Sequence, residues 1–305
     1  MTMRETPWDT DRELTISSVR QLTMDQFTDL CPVELQFLGS GWDNDVYLAN
    51  DRWIFRFPRH AEVASRLGFE ASVAAAFHRR LATMGVSVPI VERWGEASEA
   101  FPHAFTVSRR VPGQCAVSAR IETLSVETFT DSLGRMLERL HATPRNGIPT
   151  LPREPEGAAE WLAEALRVAD DLEAKEGPAL HDCFVWLRRH PDVPPPPEML
   201  RVLHNDICPD HLFVSPDSGQ LVGLLDVSDA AWGDPALDFV IFPMWLRADA
   251  VRKVLDAYGA AADAAFVSRL RFLARVKSLK WLYDAHRRNG DIAKHRRWVL
   301  NAFSF

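Results

Sequence analysis

The stretch His204-Asn205-Asp206-Ile207-Cys208-Pro209-Asp210-His211 decides how this chain is read. Val202-Leu203 before it and Leu212–Val214 after it are short apolar runs of strand character. Asp206 therefore falls on a loop pinned by two strands. Twenty residues beyond it, Asp226 follows Leu221-Val222-Gly223-Leu224-Leu225 in a strand predicted over Leu221–Val227. A carboxylate ending a buried apolar strand is costly unless a charge meets it.

Working outward, the pattern divides the chain. Residues 1–112 hold strand candidates at Leu35–Leu38, Val46–Ala49, Trp53–Phe57 and Phe105–Val111, with one helix predicted over Glu62–Leu81. Residues 113–305 turn helical from Val126, with helices expected at Trp161–Leu172, Leu180–Leu187 and through Ala236–Val299. Pro194 to Pro197 form a stiff spacer that no helix can cross. The expected class is α+β: a small β-rich first lobe and a larger, mainly helical second lobe.

Composition narrows the partners. Hydrophobic residues at 47% and charged residues at 25% are those of a globular chain rather than a disordered one. A net charge of −7 argues against nucleic acid, whose phosphates demand clustered Lys and Arg, and suits a cationic ligand. Cys31, Cys115, Cys183 and Cys208 show no Cys-x-x-Cys spacing and read as reduced thiols. Residues 1–10 lack an apolar signal core, and the longest apolar run, Val240–Leu246, is short and broken by Pro243. A cytoplasmic protein, away from membranes, is expected.

The first lobe offers a phosphate-binding half. Gly39-Ser40-Gly41 lies between two strand candidates, where small residues let backbone N–H groups approach phosphate; a plain β-turn accounts for it equally well. Strand alternation turns Arg56 away from Trp53, Phe55 and Phe57. Glu70 shares the helix face of Val63, Leu67, Ala74 and Phe77, so its carboxylate needs a partner, and Arg56 is the candidate. Phosphoryl transfer asks for this inventory: in-line positioning and neutralised phosphate charge, with little covalent work by the protein. Asp206 would orient an attacking hydroxyl and Asp226 would hold a metal ion.

The spacing His-x-Asp, then a metal ligand five residues on, is that of the protein-kinase catalytic loop. With Asp226-Val227-Ser228-Asp229-Ala230-Ala231-Trp232-Gly233-Asp234-Pro235-Ala236-Leu237-Asp238, it resembles the aminoglycoside phosphotransferase family, over about Leu35 to Phe242. The motifs look closest to the 2″-phosphotransferases. The resemblance implies a bilobal protein-kinase-like fold, Mg2+ with ATP or GTP as donor, and inactivation of an antibiotic. It implies that Asp206 is the catalytic base, that His211 and Asp226 bind metal, and that Ser40, Gly41, Arg56, Glu70, Arg110 and Val111 serve the nucleotide, the last two as its hinge. Asp234 and Asp238 would brace loops, Asp238 by starting a helix. Arg56 stands where the family's lysine is usual, as in related macrolide enzymes, and His211 where asparagine is.

The acceptor is less legible. Glu160 and Glu164, four apart on one helix face, could receive an amine-rich sugar, and Asp229 and Trp232 follow the metal segment closely. Solvated carboxylates and a core tryptophan account for the same pattern. A macrolide or other metabolite O-kinase, and a nucleotide-binding pseudokinase without turnover, are the alternatives.

Overall fold

The computed structural model describes residues 10–119, 126–148, 150–189 and 191–305. The expectation of no signal core over residues 1–10 therefore lies, apart from Thr10, outside the described residues. The chain forms two compact units. The first runs to Pro112 and takes in Val222–Ser228; the second holds Gly113–Leu221 and Asp229–Phe305.

In the first unit, helix α1 (Ile16–Gln26) precedes strands β1 (Leu35–Ser40), β2 (Asn44–Ala49) and β3 (Trp53–Pro58), helix α2 (Ala61–Leu81), and strands β4 (Val91–Gly95) and β5 (Phe105–Arg109). The strands make one antiparallel sheet in the order β1-β2-β3-β5-β4. Alternation along β3 is strict: Trp53, Phe55 and Phe57 are buried, while Ile54 and Arg56 are half-buried on the other face. The buried set packs with Tyr47, Phe101 and Phe105, and with Val19 and Leu22 of α1. Phe57 stacks on Phe105 at 4.4 Å between ring centroids. Gly95 makes this packing possible, since a Cβ there would lie 2.1 Å from the Phe105 ring.

Two elements here escape the sequence signals. Helix α1 buries only Val19, Leu22 and Thr23, so its apolar stripe is thin. Strand β4, Val-Glu-Arg-Trp-Gly, is an edge strand, half exposed and shifted in register between Val91 and Arg93.

The second unit contains β6 (Gln114–Cys115), α3 (Val126–His141), α4 (Ala158–Glu176), α5 (His181–Arg188), β7 (Arg201–Leu203), β8 (Leu212–Val214), β9 (Leu221–Leu224), β10 (Ala231–Gly233), α6 (Ile241–Trp245), α7 (Ala248–Tyr258), α8 (Ala264–Arg287) and α9 (Ile292–Ser304). Only Leu221 of β9 belongs to it. β6 pairs with β8, and β10 with β7. Leu162, Leu172, Phe184, Val276, Leu282 and Val299 centre the helical core. Residues 194–197 carry neither helix nor strand, as four prolines require.

β9 ends at Leu224 rather than Val227. Asp226 takes the left-handed conformation at φ 56°, which no strand can accommodate. The segment Val222–Ser228 joins the first unit through backbone bonds: Ser87 N–H donates to Val222 O at 2.8 Å, and Leu224 N–H to Ser87 O at 2.9 Å.

Candidate functional site

In the first unit, the sheet and α2 bring the predicted ion pair together: Arg56 Nη1 lies 3.2 Å from Glu70 Oε2. Glu70 is buried on α2 and its Oε1 has no hydrogen-bond partner. Burial pushes its carboxyl pKa up, Arg56 pulls it down, and the charges of Asp226 and Asp43 add to the rise. Burial and like charge together outweigh the ion pair. The carboxylates of Glu70, Asp43 and Asp226 thus form a negative region that Arg56 and Arg66, the latter 3.4 Å from Asp43 Oδ2, offset in part.

Ser40 and Gly41 open the turn between β1 and β2. Ser40 Oγ donates to Asp45 Oδ1 at 2.5 Å, and Gly41 N–H to Asn44 O at 2.9 Å. Gly39 sits on a bulge at φ 152°, where a side chain would be strained. After β5, Arg110 N–H donates to Arg52 O at 2.8 Å, which takes that amide out of use for a ligand. Val111, the second predicted hinge residue, is buried. Asp226 Oδ1 accepts from Ser228 Oγ at 2.9 Å.

In the second unit, the loop His204–His211 is braced from below. Asp238, 1% exposed, accepts from His204 N–H at 2.9 Å, from Asn205 N–H at 2.7 Å, and from His141 Nε2 at 2.9 Å. A carboxylate only accepts, so His141 donates to it through Nε2, while its Nδ1 lies 2.8 Å from Tyr258 Oη. Burial alone would raise the Asp238 pKa; the hydrogen bond and charge of His141, with His204, outweigh it and hold the group ionised. Asp238 does not start a helix: the cap is Asp234, whose side chain accepts from Ala236 N–H at 3.0 Å and meets Arg269 at 2.9 Å. Asn205 takes φ 67° and donates through Nδ2 to Glu154 Oε2 at 2.5 Å.

This bracing presents Asp206 with its side chain 46% exposed. His211 Nδ1 lies 2.9 Å from Asp206 O and 3.4 Å from Asp206 Oδ2. Burial disfavours the imidazolium, but its contacts with Cys208 and Asp206 prevail and hold the pKa near 10. A metal ion at this ring would have to displace that proton.

The predicted acceptor contacts fare unevenly. Glu160 Oε2 caps α4 by accepting from Gly157 N–H at 2.8 Å, and Glu164 pairs with Arg167 at 2.8 Å. Both carboxylates thus have partners within their own segment. Asp229 is exposed. Trp232 on β10 carries the Arg145 guanidinium 5.6 Å from its ring and lines a cavity of about 430 Å³ with His141, Thr143, Arg201 and Tyr258.

Three residues around this loop take partners that the sequence reading did not foresee. His141 and Glu154 act across 97 and 51 residues, beyond any periodicity. Lys277 on α8 sits with Nζ 3.7 Å from the Trp161 ring centroid. Burial lowers its pKa to about 8 against the opposing pull of Glu154, Glu156, Asp206 and Asp238. Among the described residues, no helix is long and apolar enough to cross a membrane.

With this geometry in hand, three comparisons place the chain. Residues 34–273 match the family described as "Phosphotransferase enzyme family". An aminoglycoside 3'-phosphotransferase of Streptomyces ribosidificus is 28% identical over 187 residues, 57% of this chain and 68% of that protein. The fold matches that of the GDP complex of aminoglycoside 2'-phosphotransferase-IIIa at a TM-score of 0.73 and 21% identity, covering 96% of this chain and all of that one. It also matches the macrolide 2'-phosphotransferase MphH of Brachybacterium faecium at a TM-score of 0.64 and 19% identity, covering 94% and 98%.

Proposed function

The chain belongs to the phosphotransferase enzyme family, and we propose that within it the protein moves the γ-phosphoryl group of ATP or GTP onto a hydroxyl of an aminoglycoside antibiotic, in the cytoplasm, and so inactivates it. The observation that carries this reading is the bracing of Asp206. A half-exposed carboxylate stands on a loop whose backbone N–H groups are held by a fully buried one. Such a group can accept a hydrogen bond from an acceptor hydroxyl, orient its oxygen, and take its proton as the new O–P bond forms.

The first unit would serve the nucleotide. Arg56, fixed by Glu70, meets triphosphate oxygens with a planar two-pronged donor. The small residues Ser40 and Gly41 let the turn approach them, and the Arg110 carbonyl and the Val111 backbone would meet the nucleobase. The donor set fits magnesium in part. Asp226 supplies hard oxygen in the same unit as Glu70 and Asp43, whose charges Arg56 and Arg66 offset in part; on the second unit, the imidazole of His211 would be a softer donor. Magnesium held there would neutralise the phosphate charge that builds during transfer.

A second reading, a macrolide or other acceptor with few amines, is favoured by Lys277. Its ammonium lies within electrostatic reach of Asp206 and Glu154 and opposes a polycation there. One experiment separates the two. Purified protein is incubated with labelled ATP or GTP and a panel of aminoglycosides and macrolides, and phosphate incorporation is measured. Transfer to aminoglycosides supports the first reading and transfer to macrolides the second. Triphosphate binding with no transfer to any acceptor refutes both.

A further inference from the structure

Cys208 has no part in the reaction proposed above. It lies between Asp206 and His211, where the loop turns through the short 3-10 segment Pro209–His211. That turn folds three side chains back on one another. One donor atom each of Asp206, Cys208 and His211 lies within 4.8 Å of the other two. Asp206 is the open side of the cluster at 46% side-chain exposure, while His211 is only 19% exposed. The backbone beneath cannot drift, because Asp238 holds the N–H groups of His204 and Asn205.

A thiolate, an imidazole and a carboxylate are three donors of the kind zinc takes in tetrahedral sites that leave one position to water or substrate. They are a poor set for magnesium, which prefers oxygen and resists losing water. Zinc distances of about 2.0–2.3 Å ask the donors to close by roughly 1 Å from their widest separation, within reach of side-chain rotation at Asp206 and Cys208. We propose that Asp206, Cys208 and His211 form a zinc site on the catalytic loop, and that zinc bound there silences phosphoryl transfer by occupying the Asp206 carboxylate. Zinc enters as the divalent ion, the Cys208 thiol and the protonated His211 ring each give one proton to solvent, and no oxidation state changes.

The silencing rests on the role given to Asp206 above; the binding does not. The test therefore has two readouts. Zinc is titrated into the full chain against a chromophoric chelator, for wild type, Cys208→Ser and Cys115→Ser. Cys115 is the control because its Sγ donates to Pro209 O at 3.5 Å, touching the same loop from outside the cluster. Wild type and Cys115→Ser should take one zinc per chain tightly, and Cys208→Ser should bind it more weakly by at least on the order of a hundredfold. Cobalt in place of zinc should show a thiolate charge-transfer band that Cys208→Ser lacks. Undiminished binding in Cys208→Ser, or no binding by wild type, overturns the site. Phosphoryl transfer is then assayed with and without zinc, each protein against its own zinc-free rate. Wild type should be inhibited and recover on chelation, and Cys208→Ser should be insensitive; equal sensitivity overturns the silencing. If no acceptor is phosphorylated at all, the function proposed above fails while the chelator titration still judges the site.

Discussion

Replacing Asp238 by asparagine changes one oxygen to an NH2 group and nothing else in shape. The carboxylate receives three N–H groups, from His204, Asn205 and His141, at 2.9, 2.7 and 2.9 Å. The carboxamide has one acceptor oxygen, so in either orientation at least one buried N–H faces another N–H. The loss is one charge-assisted hydrogen bond, about 1.5–3 kcal/mol, plus a buried donor left unmet, about 1–3 kcal/mol. The expected destabilisation is about 3–5 kcal/mol, in line with breaking a buried charged pair from one side. Urea unfolding followed by far-ultraviolet circular dichroism measures it. For a unit of this size the melting temperature should fall by roughly 10 °C. The effect carries a pH signature. The folded carboxyl lies below its ordinary 3.8, so its contribution is full above that value and is lost as pH falls through the folded one. The gap between wild type and Asp238→Asn should therefore narrow in acid. A gap under about 1 kcal/mol at neutral pH, or one that widens in acid, refutes the account of the brace.

Arg56→Ala should weaken ATP or GTP binding by about ten- to a hundredfold, at about 1.4 kcal/mol per tenfold, because the cation proposed to meet the phosphates is removed and Glu70 is left buried without it. Equal affinity by calorimetry means that Arg56 serves only the fold. Lys277→Met should stabilise the protein at pH 7. The folded ammonium titrates near 8 against an ordinary 10.5, so its burial costs stability below the first value and stops costing above the second. The gain should fade as pH rises across that window; a variant less stable than wild type at pH 7 contradicts the reasoning. Gly95→Ala should unfold the first unit early, since its Cβ would overlap the Phe105 ring; an unshifted urea midpoint would show that the sheet gives way freely.

What was legible in the sequence was whatever a period or a spacing encodes. The two-residue period of β3 set Arg56 against the aromatic face, the helical period of α2 set Glu70 on the buried stripe, and the structure joins them at 3.2 Å. The loop from His204 to His211 announced itself by residue type and spacing. Tertiary partners did not. Nothing local marks His141 as the residue that charges and orients Asp238, or Glu154 as the clasp on Asn205, since both meet their partners only after helices and strands have packed. Asp238 was expected to begin a helix, but the neighbouring Asp234 does so, leaving Asp238 to turn inward beneath the loop. The acidic face of α4 shows the same limit: Glu160 and Glu164 share a face as their spacing requires, yet both already have partners in their own segment.

The central claim is that Asp206 orients and deprotonates an acceptor hydroxyl. It is tested most directly by Asp206→Asn, measured side by side for turnover and for triphosphate affinity. Turnover should drop by about 10²–10⁴-fold, the share a positioned base supplies, with affinity within about threefold of wild type, a difference under 1 kcal/mol. Turnover equal to that of wild type would remove Asp206 from the reaction.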